Sequence, residues 1–144
     1  MEQIKAVIQQ MIKVSEDESN DFLNQAITKT FKRQEILSRP NVIPNEIFFI
    51  NKGIIRVFIT DNEGTEHTIH FALENQFIAD YSNFIQHQPS IYSLQTLEET
   101  QVIILPRSAI KRWLTDPVFT TDVRNRFTLF LFAKDLHDLA FCEF

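Results

Sequence analysis

The spacing of hydrophobic positions changes along this chain, and each change predicts a different kind of element. Residues 2–13 place apolar side chains three and four positions apart, which predicts an amphipathic helix. Ser15 and Glu18 have the spacing of a capping box, which predicts a second helix directly afterwards. From Ile27 onwards, apolar and polar side chains alternate, and this period of two is typical of strands. We therefore expect helices over 1–26 and strands over 27–106.

Residues 47–73 predict a β-hairpin at the centre of the strand region. Alternation over 55–60 predicts its first strand, and the polar segment 61–64, which ends in Gly64, predicts the turn. Gly53 lies where the preceding strand ends and predicts a tight bend. In the second strand, alternation predicts one shared face for His67, Ile69, Phe71 and Leu73.

Short strands without intervening helices continue as far as residue 106. Pro40 and Pro44 bracket a loop, a brief helical turn is expected within 74–84, and strands are expected over 92–96 and 101–105. This pattern predicts a mainly β domain, built as an antiparallel sandwich or roll with flanking helices. Helical spacing returns over 108–114.

A last long helix is predicted over 118–139, after Asp116-Pro117. Its apolar positions cover more than one side, including a stripe with Val123, Phe127, Phe130 and Leu131. Such a helix needs two covering surfaces, so we expect the β domain on one side and a second copy of the chain on the other. The alternative is a single wide stripe that faces the core.

Composition limits the class of protein. A chain of 144 residues suits a single domain over 1–144, and its net charge of −5 argues against direct binding of nucleic acid. No apolar run approaches the ~20 residues of a membrane span, and no signal peptide is evident, so a cytoplasmic protein is expected. Cys142 is the single cysteine, which excludes an intrachain disulfide and cysteine-rich metal sites.

The segment 48–57, FFINKGIIRV, resembles a strand pair of cyclic-nucleotide-binding domains. These are the sensor domains of Crp–Fnr transcriptional regulators, of protein kinase A regulatory subunits and of gated channels. The resemblance extends from about Ser15 to the C-terminus. It implies a jelly-roll-like, double-stranded β-helix with N-terminal helices and a long C-terminal helix. It also implies a non-enzymatic domain that senses an effector for a Crp–Fnr-type transcriptional regulator.

In this family a short cassette binds the cyclic phosphate. It begins Gly-Glu, continues as a helical turn, and ends in an arginine beside a small residue. The matching segment here is 77–92, in which Ala79 and Asp80 replace Gly-Glu, and Ser90 or Ile91 occupies the place of the arginine. The resemblance thus assigns ligand contacts to Ala79, Asp80, Tyr81, Ser82, Ser90, Ile91 and Tyr92.

The missing arginine changes the expected ligand. No Arg or Lys occurs between Arg56 and Arg107, and a hydrogen bond to a charged group is worth about 1.5–3 kcal/mol. We therefore expect cyclic AMP to bind about 10- to 150-fold more weakly than it would with the arginine. The effector is a cyclic nucleotide, another small molecule, or none. Asp80 either contacts a sugar-like hydroxyl or caps the turn of the cassette.

The resemblance also concerns signalling. In Crp–Fnr regulators the last helix forms the dimer and transmits the ligand signal, and a winged helix-turn-helix follows it. The sequence leaves open a stand-alone sensor domain or part of a longer regulator. We expect effector contact near 80–92 to shift the β-roll against the helix 118–139 and to bias a two-state dimer.

Two other functions remain open. A degenerate roll that serves only dimerisation or protein contact would fill its ligand volume with Phe71, Phe77, Phe84 and Tyr92, whereas a sensor would keep a cavity with polar groups of 80–82 aimed inward. A cupin-like metal enzyme would use His67 and His70 with Glu74, but the His-x-x-His spacing puts the histidines on opposite strand faces unless a bulge intervenes. We predict neither a catalytic residue nor a metal ligand.

Overall fold

Two antiparallel four-stranded sheets form the body of the protein. The structure is a computed structural model and describes residues 1–12 and 14–115. In chain order, the elements of this part are α1 (Glu2–Ile12), α2 (Glu16–Leu23), β1 (Ile27–Phe31), β2 (Ile36–Ser38), β3 (Glu46–Lys52), β4 (Ile55–Thr60), β5 (Glu66–Ala72), β6 (Phe77–Ile78), α3 (Tyr81–Gln86), β7 (Ser93–Thr96), β8 (Thr100–Pro106) and α4 (Arg107–Thr115). The strand orders are β1-β8-β3-β6 and β2-β7-β4-β5. The predicted mainly β roll with flanking helices is confirmed.

The predicted last helix, 118–139, lies outside the described residues. Its stripe of Val123, Phe127, Phe130 and Leu131 therefore stays a prediction. Within 1–12 and 14–115, no helix is both long enough and apolar enough to cross a membrane.

The N-terminal helices form where the sequence predicts them. The apolar face of α1 buries Ile4 and Ile8 against the first sheet. Helix α2 begins with a complete capping box: the Glu18 amide donates to Ser15 Oγ at 3.2 Å, and the Ser15 amide donates to Glu18 Oε2 at 2.8 Å. The two bonds satisfy amides that the first helical turn leaves without partners.

Strands β3 and β8 are buried on both faces. On β3, Ile47 and Phe49 pack in a cluster beneath the helices, which we call the helix-side core. The intervening Phe48 and Ile50 pack in a second cluster between the sheets, which we call the inter-sheet core. A strand covered on both sides has no solvent face, and this explains the continuous apolar runs of 47–50 and 102–105.

The central hairpin forms as predicted, but its second strand differs in register. Val57 opposes His70, and Phe58 opposes Thr68, so Ile69 is an extra residue on β5 and makes a bulge. The bulge changes which side chains turn inward. Ile69 and Ala72 pack with the inter-sheet core, whereas Phe71 and Leu73 are 54% and 48% exposed. The predicted shared face is therefore wrong.

Gly53 allows a close turn between β3 and β4. Its φ is +111°, and a Cβ at this position would lie 2.4 Å from Thr100 Oγ1 and 2.8 Å from Thr100 Cα. Only glycine fits both the left-handed backbone and this approach.

Candidate functional site

The cassette begins at β6, a short strand whose two residues pair with Phe48 and Phe49 of β3. Asp80 follows and caps α3. Its Oδ1 accepts from the Asn83 amide at 3.3 Å, and its Oδ2 accepts from Asn83 Nδ2 at 2.7 Å. The helix ends at His87, which adopts a left-handed backbone with φ 55°. Asp80 thus performs the capping role, one of the two expected from the sequence.

Ser90 joins the cassette to the loop between β2 and β3. Its Oγ donates to Asp80 Oδ2 at 2.6 Å and accepts from the Tyr92 amide at 3.0 Å. Its own amide donates to the Val42 carbonyl at 3.0 Å, and its carbonyl accepts from the Asn41 amide at 2.7 Å. Ser90 is only 2% exposed. Ser90 is one of the two candidates for the place of the arginine. Its hydrogen bonds connect the cassette to the loop between β2 and β3.

A cavity of about 380 Å³ lies beside this junction. It is bounded by β2, by the loop between β2 and β3, by the start of the cassette and by the inter-sheet core. The lining residues are Ile36, Leu37, Ser38, Arg39, Val42, Ile43, Pro44, Asn45, Glu46, Phe48, Ala79, Asp80 and Leu94. The cavity is partly open to solvent, and its apolar lining is interrupted by Ser38, Arg39, Asn45, Glu46 and Asp80. Its volume lies within the roughly 300–1,000 Å³ of small-molecule sites.

The predicted cassette residues do not all reach this cavity. Ala79 and Asp80 line it, and Ser90 hydrogen-bonds to Asp80. The other four lie elsewhere: Tyr81 is buried in the helix-side core, Ser82 accepts from Gln86 Nε2 at 3.1 Å, Ile91 is exposed, and Tyr92 packs against the inter-sheet core. The assignment of ligand contacts to these residues stays a prediction.

The aromatic residues expected to fill a degenerate roll do not line the cavity. Phe77 and Phe84 belong to the helix-side core, Phe71 is exposed, and Tyr92 packs against the inter-sheet core. The cavity lies instead against Phe48 and Leu94. This arrangement differs from the filled ligand volume that a pure interaction module predicts.

Two charged residues of the cavity lining were not predicted from the sequence as site residues. Arg39 directly follows β2, and Glu46 begins β3, so both lie far along the chain from the cassette. Both residues are exposed. Within 1–12 and 14–115, Arg39 makes no side-chain hydrogen bond or ion pair. The signal in the sequence was an arginine directly before Pro40, the first of the two prolines that bracket this loop.

Arg107 connects the cassette to α4. Its Nη1 donates to the Phe84 carbonyl in α3, and its guanidinium lies 4.9 Å from the centre of the Phe84 ring. Its amide donates to the carbonyl of Asn45, a residue of the cavity lining, at 2.7 Å. The first residue of α4 therefore contacts both the cassette helix and the cavity loop.

Asp61 and His67 form an ion pair at the turn between β4 and β5. A hydrogen bond between His67 Nε2 and Asp61 Oδ2, 2.9 Å long, is the main cause that lowers the pKa of Asp61. The amides of Thr65 and Glu63 donate to Asp61 Oδ1 and act in the same direction. Among the residues that the structure describes, no group of three His, Cys, Asp or Glu side chains could hold a metal ion.

Comparisons with known proteins agree with this architecture. A family model described as "Cyclic nucleotide-binding domain" matches residues 28–116. No curated protein matches the chain significantly.

Several solved structures share the fold. The catabolite activator protein of Thermus thermophilus aligns with TM-score 0.70 and 14% identity, over 88% of this chain and 57% of its own. The sensor domain of the transcriptional regulator DNR from Pseudomonas aeruginosa aligns with TM-score 0.73 and 17% identity, over 95% and 91%. A cyclic nucleotide-binding domain from Methylobacillus flagellatus aligns with TM-score 0.76 and 18% identity, over 95% and 78%. At these identities the likeness shows the fold alone.

Proposed function

The chain belongs to the cyclic nucleotide-binding domain family, and we propose that it is the effector-sensing domain of a Crp–Fnr-type transcriptional regulator. In this proposal residues 1–144 act as one non-enzymatic, cytoplasmic unit. A small effector binds in the cavity, and the helix 118–139 pairs two copies of the chain through Val123, Phe127, Phe130 and Leu131. The similar structures from Thermus and Pseudomonas, an activator protein and the sensor domain of a transcriptional regulator, support the regulatory role.

The observation that carries the proposal is the cavity beside the Asp80–Ser90 hydrogen bond. A roll kept only for protein contact has no need of an open volume, because filling it with side chains would add packing energy. Here the cavity is lined by the cassette residue Asp80 and by the loop that Ser90 holds in place. A ligand there would contact both segments at once.

The contacts of Arg107 support a route for the signal. An effector that moves the cavity loop at Asn45, or the cassette helix at Phe84, also moves a hydrogen-bond partner of Arg107. Arg107 begins α4, the last described element before the predicted helix 118–139. Ligand binding would thereby bias the arrangement of the dimer, provided that the two arrangements bind the ligand with different affinity.

The test is calorimetric and thermal titration of the purified chain with cyclic AMP, cyclic GMP and cyclic dinucleotides. A ligand at ~100 times its dissociation constant stabilises the native state by about 2.7 kcal/mol. The blocking variant is Val42→Trp, because Val42 lines the cavity, is half exposed, and can place an indole there without disturbing the core. The matched control is Ile27→Trp on β1, an exposed residue outside the cavity.

We expect a binding ligand to lose its effect in Val42→Trp and to keep it in Ile27→Trp. Equal binding by both variants would refute the cavity as the effector site. If none of these compounds binds and Val42→Trp dimerises as the wild type does, the interaction module becomes the better account.

A further inference from the structure

We propose that Arg39, which directly follows β2 and lines the cavity, supplies the positive charge that the cassette lacks. The effector would then carry one anionic group for Arg39, a hydroxyl for Asp80, and an apolar or aromatic body between them. This inference rests on the proposed function and specifies the chemistry of its ligand.

The cassette itself has little capacity left for an anion. Asp80 already places its negative charge at the start of α3, where its Oδ1 accepts from the Asn83 amide. An anionic group would meet repulsion there. A carboxylate has about four acceptor positions, and Asp80 uses one on Oδ1 and two on Oδ2. One position on Oδ1 remains, and it suits a hydrogen-bond donor such as a ligand hydroxyl.

Arg39 has the properties that an anion partner requires. It lines the cavity, and none of its donors is used within the part of the chain that the structure describes. A guanidinium offers five donors in a fork that fits carboxylate or phosphate oxygens. The loop that carries Arg39 is also held in place, because Asn41 and Val42 pair with the backbone of Ser90.

The lining also contains several apolar side chains. They include the buried side chains of Phe48 and Leu94 and the partly buried Ile36 and Leu37. Such walls select a ligand with an apolar or aromatic body, because apolar surface gains free energy by leaving water. Glu46 is the second carboxylate of the lining, and it disfavours an anion. Removing the charge of Glu46 should therefore strengthen the binding of an anion, whereas removing the charge of Arg39 should weaken it.

The experiment compares pairs of probes that differ in the anionic group: cyclic AMP with adenosine, and salicylate with phenol. Dissociation constants are measured by calorimetry for the wild type, Arg39→Gln, Glu46→Gln and Arg33→Gln. Arg33→Gln is the matched control, since Arg33 is an exposed arginine outside the cavity lining. Arg39 is itself exposed, and its side chain makes no hydrogen bond or ion pair with the residues that the structure describes, so its replacement should leave the fold intact.

We expect at least one anionic probe to bind more tightly than its neutral partner. Arg39→Gln should weaken the binding of that probe by about 1.5- to 5-fold, because Arg39 is exposed and its pairing with an anion is screened by water, and it should leave the neutral probe unchanged. Glu46→Gln should strengthen the anionic probe by about 1.5- to 5-fold, because the pair of charges is exposed and screened. Arg33→Gln should change neither.

The failures are distinguishable. If neutral probes bind as tightly as anionic ones, or if Arg39→Gln and Arg33→Gln behave alike, Arg39 is not the anion partner, while ligand binding that Val42→Trp blocks still supports the sensor function. If no probe binds at millimolar concentration, both the role of Arg39 and the proposed function are refuted for these ligand classes.

Discussion

Replacing Ser90 by alanine should destabilise the protein far more than the loss of one hydroxyl at the surface would. The Oγ atom makes two hydrogen bonds in a buried position: it donates to the Asp80 carboxylate and accepts from the Tyr92 amide. The bond to the charged carboxylate is worth about 1.5–3 kcal/mol, and the bond from the amide about 0.5–1.5 kcal/mol. Ser90→Ala should therefore cost about 2–4.5 kcal/mol.

The cost is measured by urea unfolding and by thermal unfolding, in which it corresponds to a lower Tm by roughly 5–15 °C. Ser82→Ala is the matched control, because its hydroxyl only accepts from the exposed Gln86 side chain and the change should cost less than about 1 kcal/mol. Equal stability of the two variants would show that the Ser90 junction does not hold the cassette, and it would remove the basis for treating the junction as part of the site.

Two further changes test the hairpin and its neighbouring turn. Gly53→Ala should destabilise the protein by about 2–5 kcal/mol, because φ is positive and the new Cβ would clash with Thr100. Gly64→Ala should cost only about 1 kcal/mol, because φ is positive there but the space around the new Cβ is open. Urea unfolding of both variants measures the difference, and equal losses of stability would contradict the steric argument. The hydrogen bond with His67 lowers the pKa of Asp61 in the folded state. Its contribution to stability is therefore complete at pH values above the ordinary carboxyl pKa of 3.8, and it is lost as the pH falls through the lowered pKa of the folded state. The Tm difference between wild type and Asp61→Ala should shrink as the pH falls below 3.8. A difference that does not change across this pH range would refute the linkage.

The parts of the fold that depend on neighbouring residues were predictable from the sequence. The capping box of Ser15 and Glu18, the bend at Gly53 and the polar turn before β5 each depend on a few consecutive side chains, and each occurs as predicted. The bulge at Ile69 was not predictable, because it depends on how β5 aligns with β4. Alternation in one strand cannot reveal an extra residue relative to its partner.

In the candidate site, too, the features that depend on neighbouring residues were predictable, and those that depend on packing were not. The cassette could be recognised locally, and the capping role of Asp80 follows from its place before a helical turn. Arg39 could not be recognised in this way, because it reaches the cavity only when the two sheets pack together. The sequence showed that the cassette lacks a cation, whereas the position from which one could be supplied is a tertiary property.

The serine at position 90 explains why a positive charge would come from another part of the cavity lining. This position is almost fully buried, and an unpaired guanidinium there would be costly until a ligand anion arrived. Ser90 fills the position with a neutral side chain whose hydrogen bonds are made without any ligand. The roll without ligand thereby avoids a buried charge, and the exposed side chain of Arg39 stays hydrated at little cost in free energy. A site arranged in this way would give up the affinity of a buried ion pair, and the hydrogen bonds of Ser90 would already be made before any effector binds.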